Sequence, residues 1–121
     1  MNQDLIPANH LSKGHCVPCE GGVDPLTRAE FAPYLEIVKS WTVASDEKSI
    51  ECNFKFKNFV QALEFVNRIG AIAESEGHHP DIFLHGWNKV RVTLSTHAIK
   101  GLSINDFVVA SKIDLLLQPT Q

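Results

Sequence analysis

Two patterns of different period meet in residues 50–77, which read IECNFKFKNFVQALEFVNRIGAIAESEG. Apolar and polar side chains alternate up to residue 56, which is typical of a strand with one buried face. From residue 59 the apolar side chains recur every three or four positions, which predicts an amphipathic helix. Asn58 suits the start of this helix and Gly77 its end. The segment therefore predicts a strand at 50–56 and a helix that runs to about residue 76.

The flanking residues predict two more helices, each with a recognisable start. Thr27 and Glu30 have the spacing of a capping box, in which each side chain bonds to a free amide of the other residue. The apolar positions that follow predict a helix over residues 28–39. Ser103 and Asp106 have the same spacing at the start of a last helix.

Three further strands complete the order of elements. They are predicted at residues 41–44, at residues 82–85, and from about residue 89 to His97, with residues 86–88 as the turn between the last two. Strands with one apolar and one polar face suit an antiparallel sheet that is covered on one side. The sequence therefore predicts an α+β fold in the order α-β-β-α-β-β-α. Its four-stranded antiparallel sheet has helices packed on one face.

The chain has 121 residues, a formal net charge of −3 and 21% charged residues. This length suits one domain, which we expect to span residues 25–121 after an irregular N-terminal arm of residues 1–24. This small negative net charge does not favour nucleic acid or an anionic membrane as a partner. The N-terminus lacks the basic start and apolar run of a secretory signal, so we expect a cytoplasmic protein.

The cysteines do not describe a disulfide framework, because there are three of them. Cys16 and Cys19 form one C-x-x-C pair, and His10 and His15 lie close to it, so a zinc knuckle is one alternative. We favour two reduced thiols in a loop, and we expect no metal and no organic cofactor.

Four of the six histidines fall between residues 78 and 97. His78 and His79 follow the end of the long helix, and Pro80 favours an extended chain there. We expect His97 on the polar face of the last strand, which the core does not need. Imidazole exchanges protons near neutral pH, so this group indicates acid–base catalysis, and Asp106 could orient His97. Three histidines could also bind zinc or iron, and His-His-Pro could be only a helix exit.

The spacing of these residues resembles the signature of the pterin-4a-carbinolamine dehydratases. In this chain the signature runs from Glu74 over three residues to His78-His79-Pro80, over six to Trp87, over nine to His97 and over eight to Asp106. A pattern of this length is far more specific than one histidine pair. The similarity covers about residues 16–115 and includes Cys16-Val17-Pro18-Cys19 near its start.

The resemblance implies a hydro-lyase that dehydrates 4a-hydroxytetrahydrobiopterin to quinonoid dihydropterin. It also implies a homodimer or homotetramer that works without a cofactor. The implied enzyme supports an aromatic amino acid hydroxylase, typically phenylalanine hydroxylase, by taking part in tetrahydrobiopterin recycling. The alternative is a binding module, because some relatives act as dimerisation partners of a transcription factor. A metal-dependent enzyme is the third class.

The resemblance also implies roles for individual residues. His78, His79 and His97 are the catalytic and pterin-binding histidines. We expect His78 to act as the acid and His79 or His97 as the base. The supporting or substrate-binding residues are then Glu74 beside the pocket, Ser95 and Thr96 with the backbone that holds the pterin ring, and Asp106 next to His97.

Overall fold

The computed structural model describes residues 3, 5–17 and 23–117. It contains four strands: β1 (Thr42–Val43), β2 (Ile50–Lys55), β3 (Asp81–His85) and β4 (Lys89–Leu94). They form one antiparallel sheet in the spatial order β1-β2-β4-β3. A tight turn joins β3 to β4, and Gly86 and Trp87 in this turn both have positive φ. Strand β4 pairs with β3 on one side and with β2 on the other.

Helices pack on the apolar face of the sheet: α1 (Arg28–Ile37), α2 (Phe59–Glu76) and α3 (Ile104–Leu115). Capping boxes form at the starts of α1 and α3. Asn58 caps α2, and Gly77 ends it with φ of 66°, a conformation that glycine adopts without steric cost. Two 3₁₀ helices occupy Ala8–Lys13 and His97–Ile99. Among the helices in the described ranges, none is long and apolar enough to cross a bilayer.

The core lies between this sheet face and the helices. The three apolar residues of β4 are fully buried, whereas the alternate residues of the same strand are exposed or half-buried on the opposite face. Phe107 of α3 is also fully buried, and its ring centroid lies 6.0 Å from that of Phe31 and 5.5 Å from that of Tyr34. These aromatic contacts join α3 to α1 and fix the position of α3 over the sheet.

The predicted fold class and order of elements are confirmed, but the predicted end of the last strand is wrong. Strand β4 ends at Leu94, and His97 begins a 3₁₀ helix instead of lying on the polar face of the strand. The physical reason is a turn. The backbone of Thr96 pairs with that of Gly101, and Lys100 takes up a left-handed conformation with φ of 57° between them.

The N-terminal arm, expected to be irregular, contains a 3₁₀ helix whose Leu11 is buried in the core.

Replacing Phe107 by alanine tests the position of the core. The variant loses a fully buried ring, so we expect its free energy of unfolding to fall by about 3–5 kcal/mol. Phe83→Ala is the matched control, because Phe83 lies on the open face of the sheet and is 54% exposed. It should lose less than about 1 kcal/mol. Urea unfolding followed by circular dichroism measures both values, and equal losses would contradict this core.

Candidate active site

A cavity of about 540 Å³ opens where the end of α2, the segment after β4, the start of α3 and the N-terminal arm meet. Of the residues that the sequence predicts for the site, His78, His79, Ser95, Thr96 and His97 line it. Two segments that are separated in sequence by β3 and β4 therefore face one space. Its volume is in the range of cavities that bind small molecules.

Asp106 fixes the orientation of His78. The Asp106 side chain is fully buried, and its Oδ1 lies 2.6 Å from Nε2 of His78, whose side chain is 13% exposed. A carboxylate only accepts hydrogen bonds, so Nε2 of His78 is the donor. Nδ1 is then the ring nitrogen that remains for a molecule in the cavity. A charge-assisted bond of this length holds the ring in one direction.

The second oxygen of Asp106 is held by the start of α3. Oδ2 accepts hydrogen bonds from the hydroxyl of Thr96 at 2.9 Å and from the backbone amide of Ser103 at 3.0 Å. The hydroxyls of Thr96 and Ser103 lie 2.7 Å apart and share a further hydrogen bond. A buried carboxylate needs such partners, because the loss of its hydration is costly. The capping box of α3 therefore also presents Asp106 to His78.

Thr96 contributes to the site through Asp106. Its backbone amide donates to the carbonyl oxygen of Gly101 at 2.9 Å, and its hydroxyl is used by Asp106 and Ser103. Ser95 precedes it, is half-buried and lines the cavity. Contact between this backbone and a pterin stays a prediction.

The other two histidines are more open to solvent. Nε2 of His79 lies 2.8 Å from Oε1 of Glu74, but the two side chains are 60% and 81% exposed, so solvent screens this pair. Glu74 is therefore not one of the residues that line the cavity, but it contacts His79, which does line it. His97 is exposed on its 3₁₀ helix, and no hydrogen bond joins its ring to another residue in the described ranges.

The predicted pairing of Asp106 with His97 is wrong. Asp106 lies in the buried first turn of α3, where its oxygens face His78 and Thr96, whereas His97 is on the exposed 3₁₀ helix. In sequence His97 is the nearer histidine, since His78 precedes Asp106 by 28 positions. In the structure Asp106 bonds to His78 instead, because Glu76 at the end of α2 pairs with Lys112 and brings this end against α3.

A buried carboxylate in the wall, that of Glu76, was not singled out from the sequence. Its side chain is 5% exposed, and it follows Ile69 and Ala73 at helical spacing on the buried face of α2. A charge at such a position is the signal that could have found it. Burial raises the pKa of Glu76. Hydrogen bonds from Lys112, the Cys16 amide and His15 outweigh burial and lower the pKa to about 2.

Cys16 also lines the cavity, as a neutral thiol. Burial, together with the charges of Glu76 and Asp106, raises its pKa to about 12. Near neutral pH the thiol is therefore protonated and is not a nucleophile. Cys19, its partner in the C-x-x-C pair, lies outside the described residues. Within the part of the chain that is described, no group of three or more histidine, cysteine, aspartate or glutamate side chains is arranged to hold a metal ion.

The chain is similar to known proteins over most of its length. The model of the family described as pterin 4 alpha carbinolamine dehydratase matches residues 24–116. A protein of Halorhodospira halophila whose name assigns it to these dehydratases is 48% identical over 106 residues, which cover 88% of this chain and 96% of the relative. A Rubrobacter xylanophilus protein with the same assignment is 44% identical over 108 residues, covering 89% of this chain and 99% of the relative.

Solved structures share the fold. The crystal structure of a transcriptional coactivator/pterin dehydratase from Brucella melitensis matches with a TM-score of 0.73 and 32% identity, over 78% of this chain and 100% of that one. A pterin dehydratase-like protein, identified as a RuBisCO assembly factor in the alpha-carboxysome, matches with a TM-score of 0.56 and 23% identity, over 67% of this chain and 93% of that one. This second similarity concerns the fold alone.

The low pKa of Glu76 predicts a loss of stability in acid. Its pKa is about 2 in the folded chain against an ordinary 4.5, so between these values the unfolded state binds more protons. The contribution of Glu76 is complete above this window and is lost as the pH falls through it. In Glu76→Gln this part of the acid-induced loss should disappear.

Chemical denaturation at a series of pH values, from neutral into the acid range, measures this loss. Glu64→Gln, at an exposed position of the same helix, is the control and should follow the wild type. The assignment fails if the stability of Glu76→Gln falls with pH as steeply as that of the wild type.

Proposed function

Because this chain belongs to the pterin 4 alpha carbinolamine dehydratase family, we propose that it removes water from 4a-hydroxytetrahydrobiopterin and releases quinonoid dihydropterin. The observation that supports this most directly is that His78, His79 and His97 line one cavity, with His78 held by Asp106. Imidazole groups suit a reaction that needs one proton donor and one proton acceptor near neutral pH.

The reaction is an elimination across two neighbouring atoms of the pterin ring. The C4a–O bond breaks as the hydroxyl takes a proton and leaves as water. The N5–H bond breaks as its proton passes to a base, and the electron pair of that bond forms the C4a=N5 double bond. One imidazole loses a proton and another gains one, so a proton exchange with solvent restores the site.

We assign the acid to His78 and the base to His79 or His97. The Nε2 proton of His78 is bound to Asp106, so the Nδ1 proton of its imidazolium is the one that can reach the 4a-hydroxyl. Asp106 keeps the ring aimed and carries the opposite charge, which reduces the reorganisation needed at the moment of reaction. His79 and His97 are both exposed enough to return a proton to water.

The remaining predicted residues have supporting roles in this proposal. The pterin ring is planar with a polar edge, so it needs hydrogen bonds close to its own plane. We assign these to Ser95 and to the backbone next to Thr96, since both residues line the cavity. Glu74 acts through His79, whose Nε2 lies 2.8 Å from its carboxylate.

In this role the chain serves a hydroxylase. An aromatic amino acid hydroxylase, typically phenylalanine hydroxylase, releases the carbinolamine that the dehydratase consumes. Reduction of the product then regenerates tetrahydrobiopterin. A homodimer or homotetramer is part of the same proposal.

Stopped-flow decay of the 4a-carbinolamine, with and without the protein, tests the activity. His78→Ala removes one proton transfer, so we expect the rate above the uncatalysed background to fall about 10²–10⁴-fold. His85→Ala is the matched control and should leave the rate unchanged, because His85 lies in β3 and outside the cavity. If His78→Ala dehydrates the carbinolamine at the rate of the wild type, His78 takes no part in the mechanism.

A binding module is the second candidate. The Brucella melitensis structure is described as a transcriptional coactivator as well as a pterin dehydratase. The same assay separates the two candidates. A chain that binds 7,8-dihydrobiopterin but does not speed the decay of the carbinolamine would favour the binding module.

A further inference from the structure

Residues 15–17 of the N-terminal arm, called the end of the arm below because residues 18–22 lie outside the described ranges, supply part of the cavity wall, since Cys16 and Val17 line it. We propose that Glu76 is a positioning residue that holds the end of the arm in place. The end of the arm thereby sets the affinity of the site for its ligand. The proposal rests on the proposed function for the identity of that ligand, a pterin. It gives the arm a role that the catalytic assignment does not require.

Glu76 joins three separate parts of the chain. Its Oε1 accepts a hydrogen bond from the backbone amide of Cys16 at 2.8 Å. Its Oε2 lies 2.7 Å from Nζ of Lys112 in α3 and 3.2 Å from Nδ1 of His15. The side chains of Glu76 and Lys112 are only 5% and 17% exposed, so water screens this ion pair less than a surface pair. The Cys16 amide is therefore bound to a charged acceptor that is anchored to two helices.

A second anchor acts on the next residue. The backbone amide of Val17 donates to Oδ1 of Asn105 at 3.0 Å, and Nδ2 of Asn105 donates to the carbonyl oxygen of Val17 at 2.6 Å. The Asn105 side chain thus pairs with both backbone groups of Val17, as a neighbouring strand would. The Cys16 thiol also lies 3.7 Å from the carbonyl oxygen of Asn105. Cys16 and Val17, the two arm residues that line the cavity, are therefore both held through their backbones.

The earlier part of the arm is held by different contacts. Leu11 is buried in the core, and the hydroxyl of Tyr34 donates to the carbonyl oxygen of Ile6 at 2.7 Å. Gly14 lies where a Cβ would come within 2.9 Å of Cδ1 of Ile6, so the chain turns closely there on its way to the cavity. Loss of the Glu76 carboxylate should therefore loosen the end of the arm, where the Asn105 contacts remain, and leave the rest of the arm packed.

Glu76 is separate from the proposed proton transfers. In the described ranges its hydrogen bonds go to Cys16, His15 and Lys112, and none goes to His78 or Asp106. The orientation of His78 should therefore survive a change at Glu76. A group that shapes the wall without touching the reacting atoms stabilises bound substrate and transition state alike. Its loss raises KM and leaves kcat nearly unchanged.

The experiment compares Glu76→Ala with Glu64→Ala, an exposed position of the same helix. Fluorescence titration with 7,8-dihydrobiopterin gives a Kd that does not depend on turnover, and the carbinolamine assay gives KM and kcat. We expect Glu76→Ala to raise Kd and KM about tenfold and to keep kcat within about twofold of the wild type. Glu64→Ala should change none of the three.

Hydrogen exchange supplies a readout of the arm itself. In Glu76→Ala the amides of Cys16 and Val17 should exchange faster, while the amides of α3 keep the protection of the wild type. Bound 7,8-dihydrobiopterin should slow exchange at Cys16 and Val17 in the wild type, and much less in Glu76→Ala.

An unchanged Kd and KM in Glu76→Ala would overturn the proposal, even if the variant melts at a lower temperature, because Glu76 would then be purely structural. A fall in kcat at constant KM would overturn it as well. A wild type that binds 7,8-dihydrobiopterin without dehydrating the carbinolamine would end the proposed function, and the Kd values alone would then decide the role of Glu76. A wild type that neither binds 7,8-dihydrobiopterin nor speeds the decay of the carbinolamine would overturn both.

Discussion

A carboxylate without access to water needs a hydrogen-bond partner for each of its oxygens. Asp106 meets this need with groups from three parts of the chain: the start of α3, the turn after β4 and the end of α2. The same side chain therefore begins a helix, ties down the Thr96 hydroxyl and orients His78. Because these contacts share one buried group, a shift at the start of α3 also shifts the histidine that faces the cavity.

The elements of the fold could be predicted from the sequence because the contacts that define them are local. The capping box at Ser103 and Asp106 and the stop at Gly77 involve residues a few positions apart. The end of β4 was missed for a physical reason. The turn after β4 depends on the pairing of Thr96 with Gly101 and on a left-handed residue, and that residue is Lys100, not the glycine or asparagine that usually marks such a position.

The sequence pointed to the three histidines that line the cavity, but it did not identify their hydrogen-bond partners. The bond between His78 and Asp106 spans 28 positions, and the bond between Cys16 and Glu76 spans 60, so no local pattern contains them. Glu74 and Glu76 show the difference. Residues two positions apart in a helix point about 200° away from each other around its axis. The Glu74 carboxylate therefore pairs with His79 on the exposed side, whereas the Glu76 carboxylate is buried beneath the arm.

The central claim is that Asp106 holds His78 through Nε2 and leaves Nδ1 to the cavity. Nitrogen NMR of the protein with labelled histidines measures the tautomer of each neutral ring directly. The account predicts that His78 carries its proton on Nε2, and that Asp106→Asn changes the His78 signals more than those of His97. A neutral His78 protonated on Nδ1, or an effect of Asp106→Asn centred on His97, would contradict it.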